Sequence, residues 1–206
     1  SDPTSLVASL QSGGVDLIWN FQLAQYVELR KSATLKVEHG LIGSSYYDMA
    51  LNVTSAPFTD KLFRQAINYA TDREQFTKTV LYGVVPPTDI PFPPYSIAYS
   101  KALDTHYPYD LDKAKALIKK AGKEGTSFTA VASSQIQTES VALAQIVQAS
   151  LKTIGITMTV QNFEAARYLQ LDHASDFQMM MHTFGRSNTD PDTLITGAIV
   201  WWNHDN

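Results

Sequence analysis

The fold is decided by residues 127–183, which read SFTAVASSQIQTESVALAQIVQASLKTIGITMTVQNFEAARYLQLDHASDFQMMMHT. Three runs in this stretch have the apolar, β-branched character of strands: 127–133, 156–163 and 177–183. Two runs between them have helical spacing of apolar residues: 139–154 and 164–174. The order strand–helix–strand–helix–strand predicts an α/β sheet with parallel strands joined by right-handed crossovers.

This order also predicts where a ligand would bind. In open α/β sheets, ligands lie outside the carboxyl ends of the strands. Those ends fall at residues 133–135, at the turn after Phe163, and at residues 184–188. We therefore expect any binding site on this chain at that edge of the sheet.

Upstream of residue 127, the sequence predicts two more strands and a long loop. The strands are expected over 15–19 and 46–53. In the second strand, alternate apolar residues are expected to face the core, namely Tyr47, Met49, Leu51 and Val53. Residues 84–99 include five prolines, so this segment is predicted to be irregular, and long irregular segments are often functional.

Two helices are predicted in the same part of the chain. One is expected over about 61–82, with Thr59 or Asp60 as its N-cap. The other is expected to begin after Asp110 and to end at Gly122, because glycine readily adopts the left-handed conformation that ends a helix.

The composition excludes several classes of protein. The 206 residues include 16 Lys and Arg against 20 Asp and Glu, so the net charge is −4 and we expect no nucleic-acid partner. The chain has no cysteine, which excludes disulfides and thiolate nucleophiles. The longest apolar run, 198–202, is far shorter than a membrane span. Neither G-x-G-x-x-G nor a phosphate-binding loop is present, and no cofactor is expected.

An enzyme remains an alternative on the residues alone. His182 lies near the end of a predicted strand, and Asp190 or Asp192 could orient it in an α/β hydrolase-like site. No nucleophile or metal for such a site is evident. The pair Asp172–His173 is interpreted as a solvated helix end rather than a metal site.

Aromatic and polar residues on loops and strand ends are the candidates for a ligand-binding wall. Loop aromatics offer large, rigid contact surfaces. Arg186 could bind a ligand carboxylate or phosphate, or it could pair with Asp190 or Asp192. The candidate ligand-binding residues are Trp19, Tyr95, Ser133, Phe184, Gly185, Arg186 and Ser187. Trp201 and Trp202 are interpreted as a surface for a missing partner.

Four segments, in order along the chain, carry a resemblance to a known family. They are SGGVD at 12–16, APFTDKLFRQAINYATDRE at 56–74, YDLDKAKAL at 109–117 and DPD at 190–192. Together they resemble the family 5 extracellular solute-binding proteins, the peptide-, nickel-, opine- and sugar-binding receptors of bacterial ABC importers.

The resemblance implies a bilobed, type II periplasmic-binding-protein-like fold with a mixed sheet flanked by helices. Residues 1–206 are expected to form a single α/β lobe, the second lobe of a longer receptor. The implied partners are a small solute (a peptide, an opine or a sugar-like molecule), the ABC permease subunits and the receptor's own first lobe. The implied location is periplasmic or extracellular and membrane-tethered, and the implied role is binding without catalysis.

One ligand contact departs from the family pattern. In peptide-binding members, an Asp shortly before the Asp-Pro marker holds the amino terminus of the peptide. Aligned on Asp190–Pro191, that position is Ser187, beside Arg186. A neutral hydroxyl next to a guanidinium does not favour an ammonium group, so an acidic, sugar-like or modified ligand remains open, as does a role for Asp190 itself.

Overall fold

A computed structural model describes residues 3–19, 22–38, 45–185 and 191, and within these ranges the chain forms seven helices and four strands. The helices are α1 (Pro3–Gln11), α2 (Leu23–Leu29), α3 (Lys61–Tyr69), α4 (Arg73–Thr79), α5 (Leu111–Lys120), α6 (Ser140–Thr153) and α7 (Ala165–His173). The strands are β1 (Ser45–Leu51), β2 (Ser127–Ala132), β3 (Thr157–Asn162) and β4 (Met179–Gly185). Within the described ranges, every helix is too short or too polar to cross a bilayer.

The four strands form one mixed sheet in the order β1-β4-β2-β3. Strand β2 pairs in parallel with β3 and with β4, which confirms the parallel strands expected from the sequence. Strand β1 pairs with β4 in the antiparallel direction. The predicted fold class, a mixed sheet flanked by helices, is confirmed.

Helices α5 to α7 and strands β2 to β4 lie close to their predicted positions because local signals set their ends. Asp110 caps α5, its Oδ1 accepting a hydrogen bond from Lys113 N at 2.9 Å. Gly122 and Gly155 follow α5 and α6 with φ of 63° and 81°, a conformation that glycine adopts without steric cost.

The predicted single helix over 61–82 is wrong, because the structure has two helices there. Asp60 caps α3 as expected, accepting from Leu62 N at 2.7 Å. The first helix stops near Thr71, whose hydroxyl donates to Ile67 O at 2.8 Å, and Asp72 then caps α4. The second cap lies inside an apolar pattern that is otherwise continuous, which is why periodicity alone indicated one helix.

The strand predicted over 15–19 is also wrong. A strand is stable only where its backbone pairs with another, and this segment forms no ladder with the four-stranded sheet. Instead, residues 15–19 follow α1 without regular secondary structure, and neither α1 nor α2 was predicted. Leu17 and Trp19 of this segment are 79% and 86% exposed.

The two faces of the sheet carry different amounts of apolar packing. One face, here called the main face, is covered by helices α3 to α6 and holds a cluster of 22 buried residues. Tyr47, Met49 and Leu51 of β1 pack against this cluster as predicted, whereas the predicted Val53 lies beyond the end of β1 at Leu51 and is not part of the strand. The other face, here called the α7 face, has a cluster of four buried residues, namely Val131, Tyr168, Leu171 and Met180.

Candidate ligand-binding edge

The carboxyl ends of β2 and β3 are joined by hydrogen bonds of polar side chains. Ser134 N donates to Asn162 Oδ1 at 3.0 Å, and Asn162 Nδ2 donates to Ser134 Oγ at 3.2 Å. Gln135 Oε1 accepts from the first backbone amide of α7 at 2.9 Å. Ser133 is 0% exposed, and its hydroxyl accepts from Ile136 N at 3.4 Å. These bonds fix the turn that follows β2.

Strands β1 and β4 continue beyond the end of β2. The pairing of β2 with β4 ends at Met180, whereas β1 pairs with β4 as far as Gly185. Residues 45–48 and 182–185 therefore form a two-stranded projection, here called the β1–β4 ribbon. This ribbon carries part of the predicted binding edge.

On its main-face side, the ribbon is bonded to the segment that leads into α6. Gln137 Nε2 donates to Thr183 Oγ1 at 2.5 Å, and Tyr47 OH donates to Glu139 Oε2 at 3.0 Å. Burial raises the pKa of the Tyr47 hydroxyl, and the adjacent Glu139 carboxylate raises it further. Tyr47 is therefore a neutral hydrogen-bond donor throughout the physiological pH range.

The same segment contains two buried polar atoms that have no hydrogen-bond partner among the described residues. They are Gln137 Oε1 and Ser140 Oγ. Leaving such an atom unpaired costs about 1–3 kcal/mol. Because both atoms are buried, a buried water molecule is the group suited to pair with them.

On its α7-face side, the ribbon carries two side-chain pairs. The rings of Tyr46 and Phe184 have centroids 5.8 Å apart, and His182 Nδ1 lies 3.2 Å from Asp48 Oδ1. Burial opposes the charged form of His182, but the hydrogen bond to Asp48 and the negative charges of Asp48 and Asp172 outweigh it. The pKa of His182 is therefore raised above its ordinary value.

These features place polar and aromatic side chains at the ligand-binding edge of an α/β sheet, and comparison with known proteins gives the family. The family model "Bacterial extracellular solute-binding proteins, family 5 Middle" matches residues 1–199. The chain belongs to this family.

Three known proteins illustrate the similarity. The dipeptide-binding protein of Pseudomonas aeruginosa is 28% identical over 199 residues, which cover 95% of this chain and 37% of that protein. The periplasmic binding protein AgaA of A. tumefaciens R10, solved with agropinic acid, is 27% identical with a TM-score of 0.77, covering 94% of this chain and 39% of that one. The oligopeptide-binding protein AppA of Bacillus subtilis, solved with a nonapeptide, is 30% identical with a TM-score of 0.72, and the match covers 90% of this chain and 40% of that one.

The chain spans only a part of these family members. It covers between 28% and 37% of the length of the first curated relatives. The similarity therefore establishes the family and the fold of this chain, and the fold is confirmed as that of the periplasmic binding proteins.

The structure places the predicted binding residues that it describes in different parts of this chain. Phe184 and Gly185 end β4 on the ribbon. Ser133 lies at the same edge but is buried. Trp19 and Tyr95, which is 43% exposed, lie on segments outside the sheet, and no hydrogen bond or ring contact among the described residues joins either of them to the edge.

The loop that carries Tyr95 is irregular, as predicted, and it is anchored by a charged pair. Arg73 Nε lies 3.1 Å from Asp89 Oδ1, and their side chains are only 20% and 5% exposed. Asp89 Oδ2 also accepts from Tyr107 N at 2.6 Å. Burial lowers the pKa of Arg73, although the charge of Asp89 opposes this effect. Asp89 therefore joins the loop both to α4 and to the segment that precedes α5, which fixes the path of the loop at this residue.

Several predicted residues lie outside the described ranges. They are Arg186, Ser187, Asp190, Asp192, Trp201 and Trp202. Their predicted roles stay predictions.

The hydrolase alternative finds no support. Among the described residues, the carboxylate that binds His182 is Asp48 of β1, and the expected Asp190 and Asp192 lie outside the described ranges. Within the described ranges, His, Asp and Glu side chains form no group of three or more that could hold a metal ion.

Sequence reasoning missed several residues of this edge. They are Tyr46, Tyr47, Asp48, Gln137, Glu139 and Thr183. Asp48 meets His182 only because two strands far apart in the chain pair with each other. Gln137 and Glu139 could have been found, since Gln137 lies between a predicted strand end and a predicted helix start, and Glu139 is the first residue of that predicted helix.

Proposed function

We propose that this chain is one lobe, the second, of the substrate-binding receptor of a bacterial ABC importer, and that the receptor binds a solute without catalysis. The observation that carries the proposal is the carboxyl edge of the sheet, where the β1–β4 ribbon extends beyond β2 and carries the aromatic pair Tyr46 and Phe184. The family consists of solute-binding proteins, and its α/β fold binds ligands at such an edge.

The solute would lie in a cleft between this lobe and a first lobe that closes over it by a hinge motion. The proposed wall contains Trp19, Tyr95, Ser133, Phe184, Gly185, Arg186 and Ser187. Ser133 would act through the turn that it stabilises, because its side chain is buried. The first lobe and the ABC permease subunits are the proposed protein partners, which requires an exported receptor, either periplasmic or tethered outside the membrane.

The proposed solute is an oligopeptide or a related small molecule with an acidic group. Peptide binding is supported by the names of the dipeptide-binding and nonapeptide-bound relatives, and an opine by AgaA. Ser187 and Arg186 would disfavour a free ammonium group and would favour a carboxylate.

Native mass spectrometry of the full-length receptor, purified without denaturation, tests the proposal. A series of peptide masses would identify a peptide receptor, and one discrete non-peptide mass would identify the class of another solute. The proposal would be contradicted by a full-length protein that carries no solute and binds no member of a panel of dipeptides, glutathione and opines.

A substitution tests the predicted role of Arg186. In the full-length receptor, we expect Arg186→Ala to weaken an anionic solute about 10-fold or more, because a hydrogen bond to a charged group is worth about 1.5–3 kcal/mol. Isothermal titration with the solute recovered from the native protein measures the loss. The matched control is Arg167→Ala, since Arg167 is an exposed arginine of α7 bonded to Gln170. Equal affinities in both variants would remove Arg186 from the wall.

A further inference from the structure

The α7-face side of the ribbon carries two cross-strand pairs at neighbouring positions. In the β1–β4 register, Asp48 lies opposite His182, and Tyr46 lies opposite Phe184. Since side chains two residues apart on a strand share a face, the charged pair and the aromatic pair are side by side. The position of Phe184 is therefore linked to the contact between Asp48 and His182.

The ribbon has limited support at this point. Strand β2 pairs with β4 only as far as Met180, so β1 is the strand that pairs with His182 and Phe184 in the described part of the sheet. Cross-strand contacts between side chains are then a main source of its stability. The Asp48–His182 contact is 3.2 Å long with side chains 28% and 20% exposed, so water screens it only in part.

The ionisable groups that face this pair come from α7. Asp172 adds a second negative charge near His182, and Tyr168 lies on the same face with its hydroxyl donating to Met181 O at 2.8 Å. Burial and the charges of Asp172 and Asp48 raise the pKa of Tyr168, so this hydroxyl stays neutral. His182 is thus the group of this cluster whose charge changes near neutral pH.

We propose that Asp48 and His182 are a positioning pair, which in its charged form holds the ribbon so that Phe184 stands in place at the ligand-binding edge. Loss of the proton from His182 removes the ionic part of the contact and loosens the ribbon around Phe184. This inference rests on the proposed function only in taking Phe184 as part of the ligand wall. Solute affinity would then fall as the pH rises through the pKa of His182.

Fluorine NMR of the full-length protein labelled with 4-fluorophenylalanine tests the coupling without any ligand. The Phe184 signal is assigned by its loss in Phe184→Leu. We expect this signal to shift with pH at the same midpoint as the ring signals of His182, measured by ¹³C–¹H NMR of labelled histidine.

Three variants make the test specific. His182→Gln keeps a side-chain donor for Asp48 but does not titrate, so the Phe184 signal should become independent of pH. Asp48→Asn should lower the midpoint of His182 and weaken its effect on Phe184. His173→Gln, at the exposed end of α7, is the matched histidine control and should leave the titration unchanged. A Phe184 signal that is constant with pH in the wild type, or that titrates equally in His182→Gln, would overturn the proposal.

A binding measurement tests whether the protonation of His182 also affects solute affinity. The probe is N-acetyl-Ala-Phe, a peptide with a carboxylate and no free ammonium group. Its affinity should fall about 5-fold as His182 deprotonates, at the low end of couplings between sites, and should be constant in His182→Gln. Affinity that falls equally in both proteins would contradict the coupling to His182. A protein that fails to bind N-acetyl-Ala-Phe would count against peptide binding in the proposed function, and the fluorine titration would still decide the role of the pair.

Discussion

The two faces of the sheet differ in how they are stabilised. The main face packs helices α3 to α6 against 22 buried residues, including a cluster of mutually edge-on rings from Phe58, Phe63 and Phe128. The α7 face has four buried residues and one helix, and a solvent-open cavity of about 310 Å³ lies beside Leu171. Apolar packing therefore stabilises the main face, whereas specific polar contacts contribute a larger share of the stability of the α7 face.

The largest expected loss of stability comes from removing an aromatic ring on the main face. Phe63 is 0% exposed and lies 5.5 Å from Phe58 between ring centroids. We expect Phe63→Ala to lower the free energy of unfolding by about 4 kcal/mol, because it leaves a closed cavity. Leu171→Ala on the α7 face should cost only about 2 kcal/mol, because its site adjoins open space. Urea unfolding measures both losses, and equal losses would refute the difference between the faces.

A smaller effect is expected from a polar contact on the α7 face. Tyr168 is 2% exposed, and its hydroxyl donates to Met181 O. Tyr168→Phe keeps the ring and removes this bond, so we expect a loss of about 1 kcal/mol. The control is Tyr99→Phe, which removes the hydrogen bond that the Tyr99 hydroxyl donates to Asp104. Because Tyr99 is more exposed, this variant should lose less free energy of unfolding than Tyr168→Phe. A Tyr168→Phe variant as stable as the wild type would show that packing alone holds α7.

The smallest effect is a dependence of stability on pH. The pKa of His182 is raised in the folded protein, so its contribution is complete below the ordinary histidine pKa of about 6.5 and is lost as the pH rises through the raised value. We expect this contribution to be below about 1 kcal/mol, because the pair is partly exposed. Unfolding measured across this pH range should show the loss in the wild type. Asp48→Asn should reduce it, and an unchanged slope in that variant would exclude Asp48 as the partner.

Local signals made the parallel part of the fold predictable. Asp110, which caps α5, and the glycines Gly122 and Gly155, which follow α5 and α6, lie within a few residues of the apolar patterns of these helices. The position of the candidate binding edge follows from the strand order alone, since the carboxyl ends of the parallel strands β2, β3 and β4 face the same edge. For that reason Phe184 and Gly185 could be placed at the edge before their neighbours were known.

Contacts between distant segments were not predictable in this way. The Asp48–His182 bond joins residues 134 positions apart, and no spacing in the sequence indicates that β1 is the strand that pairs with β4. The segment 15–19 has the composition of a strand but lacks a partner strand in the sheet, and composition does not reveal that lack.

The projection of the β1–β4 ribbon beyond β2 has a consequence for how such a lobe changes during evolution. Side chains at the tip of the ribbon, such as Tyr46 and Phe184, pack on each other and lie outside both buried clusters. Substitutions there alter the surface offered to a solute at little cost to folding, because the residues that determine stability lie elsewhere. In the proposed receptor, substitutions in the ribbon would therefore change the solute that is bound and leave the rest of the proposed lobe unchanged.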